Sequence, residues 1–193
     1  MPRVVVLAGI NGAGKTTASR HLLTDVLKIP TFVNADAIAR GLNGLNPERE
    51  AFRAGRLMLA HMAELVRAKE EFAFETTLSA RAYAAWLRDL RVTGYEVFLY
   101  YYWLRSPELA ISRVAQRVQA GGHFVPDADI RRRYARSVRN FLELYRPLAD
   151  WWEVMDNTDG DRVLLAAGSQ DEFDVETPEA WDAFVRSAND DRD

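Results

Sequence analysis

The eight residues Gly9-Ile10-Asn11-Gly12-Ala13-Gly14-Lys15-Thr16 leave this chain few folds to choose from. They match GxxxxGK[ST], the Walker A phosphate-binding pattern, at every fixed position, and they lie between the apolar run Val4-Val5-Val6-Leu7 and a segment of helical periodicity. Each part has a mechanical reason. Glycines let the backbone curl until successive N–H groups face one anion, and the start of the next helix adds partial positive charge. The lysine reaches the outer phosphates and the neighbouring hydroxyl can ligate Mg²⁺. A glycine turn that merely happens to precede Lys-Thr would need neither the strand before it nor the helix after it. Gly9, Asn11, Gly12, Ala13, Gly14, Lys15, Thr16 and Thr17 are therefore candidate nucleotide-binding residues, with Thr16 the candidate Mg²⁺ ligand. Lys15 is one of only 3 lysines beside 22 arginines, as fits a position where a compact ammonium serves better than a fork.

The rest of the chain alternates short β-branched runs with longer 3.6-period segments, the pattern of βαβ units around a mainly parallel sheet. Strands are predicted at residues 4–7, 31–34, 72–75, 96–104, 152–155 and 162–167, and helices at 16–27, 47–69, 81–90, 111–119 and 129–145. In the 47–69 helix Phe52, Leu59, Met62 and Val66 recur at helical spacing. Ser106-Pro107 supplies an N-cap and a first-turn proline for the helix leading into Ile111–Gln119. With no repeat or linker in 193 residues, 48% of them hydrophobic, a single domain over 1–193 is expected. The absence of cysteine excludes disulfides, cysteine-ligated metals and thiol nucleophiles. No apolar run approaches the length needed to span a bilayer, so no membrane association and a cytoplasmic location are expected.

Charge is unevenly placed. Residues 105–147 carry 9 arginines against 4 acidic side chains, whereas 148–193 carry 14 acidic against 3 basic. The acidic flank from about 171 to 193 reads as solvated, with room for a short helix from Pro178 to Ala188. A net charge of −3 and the lack of an aromatic-rich basic motif make nucleic acid an unlikely partner.

In a parallel sheet the ligand crevice lies beyond the carboxyl ends of the strands, so residues that follow each strand share an edge with the phosphate loop. Asp36 follows the second strand in Asn34-Ala35-Asp36, and Glu75 ends the third in Phe72-Ala73-Phe74-Glu75-Thr76-Thr77. A carboxylate there can take a proton from an attacking hydroxyl or hold Mg²⁺ through water. The plainer alternatives are an N-cap for Asp36 and a helix-flanking charge for Glu75. Asn157 and Thr158, just after a late strand, are candidates near adenine. Arg113 and Arg117 stand at i and i+4, and beyond Gly121-Gly122-His123 lie Arg131, Arg132, Arg133, Arg136 and Arg139. Two basic helices joined by a glycine pair suit a lid, about 113–140, that closes over a transferring phosphoryl group; the alternatives are a solvated face or an RNA surface.

Together these strings resemble the zeta toxin family of P-loop kinases in its short members. The resemblance runs from about Val4 to Thr158 and rests on the loop, on Asn34-Ala35-Asp36-Ala37-Ile38-Ala39, on Phe74-Glu75-Thr76-Thr77-Leu78-Ser79, and on Gly121-Gly122-His123-Phe124-Val125-Pro126 followed by Arg132-Arg133-Tyr134. It implies a P-loop kinase-type three-layer α/β/α fold with a helical lid, ATP and Mg²⁺ as cofactors, and phosphorylation of a hydroxyl, with UDP-N-acetylglucosamine the acceptor of the best-known members. It further implies Asp36 as the base, Lys15 and Thr16 on the nucleotide, Glu75 and Thr77 on the acceptor, and Arg117 as the first lid arginine. A separate antitoxin protein is a partner the family implies. The sequence departs from the larger toxins where a second lid arginine would precede a proline by three residues: it has His123 before Pro126, and its next arginines are Arg132 and Arg133. The expectation is thus an ATP-dependent small-molecule kinase with Asp36, Lys15, Arg117, Arg132 and Arg133 catalytic and Asp36, Glu75, Thr77 and His123 on the acceptor. The rivals are an NTP-dependent switch and a kinase of another nucleotide-like or RNA-end acceptor.

Overall fold

A computed structural model describes residues 1–122 and 124–189. Among these, strands β1 (Arg3–Ala8), β2 (Thr31–Val33), β3 (Phe72–Thr76), β4 (Glu96–Trp103), β5 (Trp151–Asp156), β6 (Val163–Gly168) and β7 (Phe173–Val175) form one sheet of order β2-β3-β1-β4-β5-β6-β7. The first five are parallel; β6 runs antiparallel to β5, and β7 antiparallel to β6. Strands β1 and β4 are mostly buried runs because both sheet faces are covered, whereas β5 alternates, burying Trp152, Val154 and Asp156. Even-numbered Val4, Val6 and Ala8 face one core and odd-numbered Val5 and Leu7 the other, the period-2 alternation of a strand.

Helices supply the two outer layers. α3 (Ala51–Ala68), α4 (Ala82–Val92) and α7 (Pro178–Ser187) pack on the Val4 face. α1 (Lys15–Arg20), extended by a π-helical stretch His21–Val26, and α5 (Pro107–Gln119) pack on the Val5 face. α6 (Asp127–Asn140) begins among the second set, with Ile130 and Tyr134, and ends in the first, with Val138. It runs on through a second π-helical stretch, Phe141–Tyr145, into that same core. The mainly parallel sheet that the alternating pattern called for, and the three-layer α/β/α, P-loop kinase-type architecture that the resemblance implied, are observed. No helix among the described residues is long and apolar enough to cross a membrane.

Three expectations need revision. α3 buries Ala54, Met58, Met62 and Leu65, whereas Phe52 and Leu59 stand 81% and 53% exposed, so the inward stripe is rotated from the one their spacing suggested. The acidic flank is only partly solvated. β7 pairs with β6, and α7 drives Trp181 and Phe184 into an aromatic cluster with Tyr101, Trp103, Phe141 and Trp152. Pro178 in the first turn and the stripe Trp181, Phe184, Ala188 overrule the acidic composition, because Glu179 and Asp182 point away while the ring at 184 is fully buried. We expect Phe184→Ala to cost roughly 3–5 kcal/mol in a urea denaturation series; a loss below ~1 kcal/mol would return this segment to a loose flank.

The segment expected as a lid is mostly anchored. Within α6 and its continuation, Ser137 Oγ donates to the carbonyl of Thr77, Asn140 Nδ2 to that of Leu78 at 2.7 Å, and Tyr145 Oη to that of Ala80. These bonds hold the turn after β3, where Leu78 is fully buried in a left-handed conformation (φ 54°) rare for a non-glycine. Within 113–140, the residues that border the cavities are Arg113, Arg117, Ala120, Gly121, Gly122, Val125 and Arg133.

Candidate active site

β1 is the point where chain order reverses, since the chain next crosses to β2 and β3 on one side and later to β4 and β5 on the other. That is where an open α/β sheet leaves a crevice. Register sets the levels: Leu7 lies beside Glu75, Ala8 beside Thr76 and Tyr101, and Trp103 beside Asp156. The loop from Gly9 to Gly14 leaves β1 at this edge and enters α1 at Lys15.

Glu75 is the hub of the loop's surroundings. Its Oε2 accepts from Thr16 Oγ1 and from Asn34 Nδ2, each at 2.8 Å, and its Oε1 lies 3.4 Å from Lys15 Nζ. Lys15 is buried and also donates to the carbonyl of Ile10 at 2.9 Å. Burial pushes its ammonium below the ordinary lysine value, and the nearby Glu75 carboxylate opposes that shift. A polyphosphate entering here would add further compensating negative charge. Thr16 and Glu75 offer a hydroxyl and a carboxylate 2.8 Å apart beside the phosphate loop. Such hard oxygen donors fit Mg²⁺, which is commonly held by one or two protein oxygens plus phosphates and water. No group of three or more acidic or histidine side chains forms a complete metal cage among the described residues.

Asp36 stands differently. The N-cap of α2 (Ala35–Leu42) is Asn34, whose Oδ1 accepts from Ala37 N at 2.9 Å, so the capping role that Asp36 could have filled is taken. Asp36 instead lines three cavities, two of which adjoin the phosphate loop. One, about 220 Å³, also meets Lys15, Glu75, Thr77 and Arg133. The other, about 270 Å³, meets Thr16, Arg117 and Gly121-Gly122. A further cavity of about 260 Å³ is lined by Gly12, Gly14, Lys15, Thr16 and Thr17 with Arg113 and Arg117, three cations against Glu75 alone. Its charge suits a polyphosphate tail.

The arginines separate by helix face. Arg133 reaches the loop, donating from Nη1 to Asn11 Oδ1 at 3.2 Å. Arg132 turns outward to Asp129 at 2.7 Å, 58% exposed, and borders none of these three cavities; of the two candidates, Arg133 is the one brought to the site. Arg131 forms an exposed ion pair with Glu108, and Arg139 donates to the carbonyl of Ala188 just beyond α7. His123 lies outside the described residues. Asn157 Nδ2 donates to the carbonyl of Ala13 at 2.9 Å and so braces the loop. Thr158 accepts from the backbone N–H of Arg105 at 3.1 Å. Glu75, expected on the acceptor, borders both the 220 and the 260 Å³ cavities and has its oxygens engaged by Lys15, Thr16 and Asn34. Thr77 lines the 220 Å³ cavity, its hydroxyl 2.8 Å from that of Ser79.

Asn34 escaped the sequence reading as a site residue, and Arg113 entered it only as part of the lid. Asn34 both caps α2 and fixes Glu75; an asparagine between strand and helix is itself an N-cap signal. Arg113 lines the phosphate cavity and ties α5 to the carbonyl of Thr158 at 2.8 Å, a position signalled only by its i, i+4 relation to Arg117. The loop also tolerates little at Gly14. Its φ is 84°, and a Cβ there would come within 2.3 Å of Asn157 Nδ2. Gly14→Ala should cost roughly 1–3 kcal/mol of local strain, measured as a roughly tenfold or larger loss of nucleotide affinity by calorimetry with an unchanged circular dichroism spectrum. Unaltered affinity would mean that the loop does not cradle the nucleotide.

Comparison with known proteins agrees with this geometry. A family model described as AAA domain (AAA_33) matches residues 4–139. An uncharacterized protein of Haemophilus influenzae is 28% identical over 132 residues, covering 68% of this chain and 92% of that one. Among solved structures, the AvrRxo1-ORF1:-ORF2 complex with ATP superposes with a TM-score of 0.76 at 17% identity; the match covers 96% of this chain but 64% of that one. The PezAT chromosomal toxin-antitoxin system of Streptococcus pneumoniae matches with a TM-score of 0.63 at 18% identity, over 98% of this chain and 86% of that one. At such identities the likeness is one of fold. With the family match spanning the loop, both strand-end carboxylates and most of α6, the chain belongs to the AAA domain family, as a P-loop kinase-like nucleotide-binding member.

Proposed function

We propose that the protein is an ATP-dependent kinase of a small-molecule hydroxyl, with a UDP-amino sugar such as UDP-N-acetylglucosamine as first acceptor. The observation that carries this is the position of Asp36: relieved of capping by Asn34, it borders two cavities beside Lys15 and Thr16. A hydrolytic switch has no use for an acceptor chamber holding a carboxylate of this kind. The zeta-toxin-like strings around Asp36, Glu75 and Arg117, and the fold shared with a complex containing ATP and with PezAT, support the same reading.

In this account the polyphosphate lies on the backbone of Gly12–Thr17, and Lys15 draws charge from its outer groups. Thr16, with Glu75 beside it, would hold Mg²⁺, which supplies charge neutralisation at the phosphates when bound. Asp36 accepts the proton of the acceptor hydroxyl as its oxygen bonds to the γ-phosphorus. The bond from that phosphorus to the bridging oxygen breaks, and ADP leaves with the electron pair. Arg117 and Arg133 neutralise the equatorial oxygens of the group in flight. By analogy with PezAT, a separate protein partner that restrains the enzyme belongs to the proposal. The test is incubation with ATP, Mg²⁺ and a metabolite extract followed by mass spectrometry. One class of compound gaining a single phosphate is expected, and ADP formation with no phosphorylated product would contradict the proposal.

A further inference from the structure

Arg40 has no part in the chemistry above, yet it borders the same chamber. It stands one turn beyond Asp36 on α2 and lines the 270 Å³ cavity together with Thr16, Asp36 and Arg117. Arg40 and Asp36 also line a small cavity of about 60 Å³ together with Ala35, Ala39, Pro47 and Ala51. No ion pair or hydrogen bond of its guanidinium is found among the described residues, whereas Arg131, Arg132 and Arg133 each have a carboxylate partner. Its place near the end of α2 favours a cation through the helix dipole, but that does not explain why it shares a cavity with a second arginine from another helix.

The two larger chambers that share Asp36 differ in charge. In the 220 Å³ chamber, Asp36 and Glu75 balance Lys15 and Arg133, and the remaining polar lining is neutral: Asn11, Asn34, Thr76 and Thr77. That lining suits hydroxyls. In the 270 Å³ chamber, two guanidinium groups oppose the single carboxylate of Asp36. An acceptor whose reacting hydroxyl meets Asp36 at the junction would therefore find its favourable anionic contact on the Arg40 side. Guanidinium forks match the oxygens of phosphates and carboxylates in two-point fashion.

We propose that Arg40, with Arg117 of α5, forms a subsite for an anionic group of the acceptor, a phosphate or a carboxylate, so that this enzyme selects negatively charged alcohols. The inference rests on the kinase reading and specifies which part of the acceptor the enzyme grips. Its test does not require knowing the acceptor. The full chain is saturated with Mg²⁺ and the non-hydrolysable analogue AMP-PNP, then titrated by calorimetry with inorganic pyrophosphate and, separately, with malonate.

One anion per loaded chain is expected, with an affinity that does not fall as AMP-PNP is raised. Arg40→Gln should weaken it roughly tenfold or more while AMP-PNP affinity stays within about twofold, and Arg40→Lys should restore part of the loss. Stronger binding of pyrophosphate would mark a phosphate-bearing acceptor, and stronger binding of malonate a carboxylate; either supports the subsite. Absence of anion binding to the loaded protein, or Arg40→Gln binding like the wild type, would overturn it. So would an equal loss of AMP-PNP affinity, which would assign Arg40 to the nucleotide. Failure of the wild type to bind AMP-PNP at all would instead defeat the kinase reading.

Discussion

Replacing Asp36 with asparagine should reduce phosphoryl transfer roughly 10²- to 10⁴-fold while leaving ATP affinity nearly unchanged. The substitution keeps the shape and the hydrogen-bonding reach of the side chain and removes only its ability to take a proton. Because Asn34 and not Asp36 caps α2, the change does not unravel the helix that carries it. Single-turnover transfer beside nucleotide titration separates the two effects. Equal losses in both would make Asp36 part of the nucleotide site, and unchanged transfer would remove it from the base role.

A loss of comparable or greater size is expected from Arg117→Ala. Arginines that neutralise a transferring phosphoryl group are worth roughly 10³- to 10⁵-fold in rate. Arg117 lines both the phosphate cavity and the chamber containing Asp36, with the glycine pair next to it. The loss should fall mainly on the transfer step, because Lys15, Thr16 and the loop amides still hold the nucleotide. Rapid-quench measurement of transfer against the ATP dissociation constant distinguishes this from a defect in binding. A variant retaining more than about a tenth of the wild-type rate would show that Arg117 is not the group that stabilises the transition state.

Much of this arrangement was legible in the residues. The loop declared itself because its glycines, lysine and threonine each have a backbone or charge requirement met at fixed spacing, and the strand-end rule then placed Asp36 and Glu75 on the same edge. What the sequence left open turned on rotation about helices. Arg132 and Arg133 are neighbours whose side chains diverge by about 100° around α6, so composition alone could not say which would meet Asn11. The same ambiguity misplaced the inward stripe of α3, where Ala54 and Met58 fill the interface and leave Phe52 in solvent. Charge misdirected the reading of the tail, since nine carboxylates between 171 and 193 obscured the three-residue strand β7 and the Trp181–Phe184 stripe. Asn157 lay at the expected strand end but turned to the carbonyl of Ala13, a contact fixed by tertiary packing and silent in local sequence.

The central claim is that one phosphate passes from ATP to a hydroxyl held at Asp36. Incubation of the wild-type chain with γ-labelled ATP, Mg²⁺ and UDP-N-acetylglucosamine, read by chromatography, follows that phosphate directly. The account predicts label in the sugar nucleotide, one equivalent for each ADP formed, and its loss in Asp36→Asn. Label released only as inorganic phosphate, at a rate indifferent to the added alcohol and to Asp36, would contradict it.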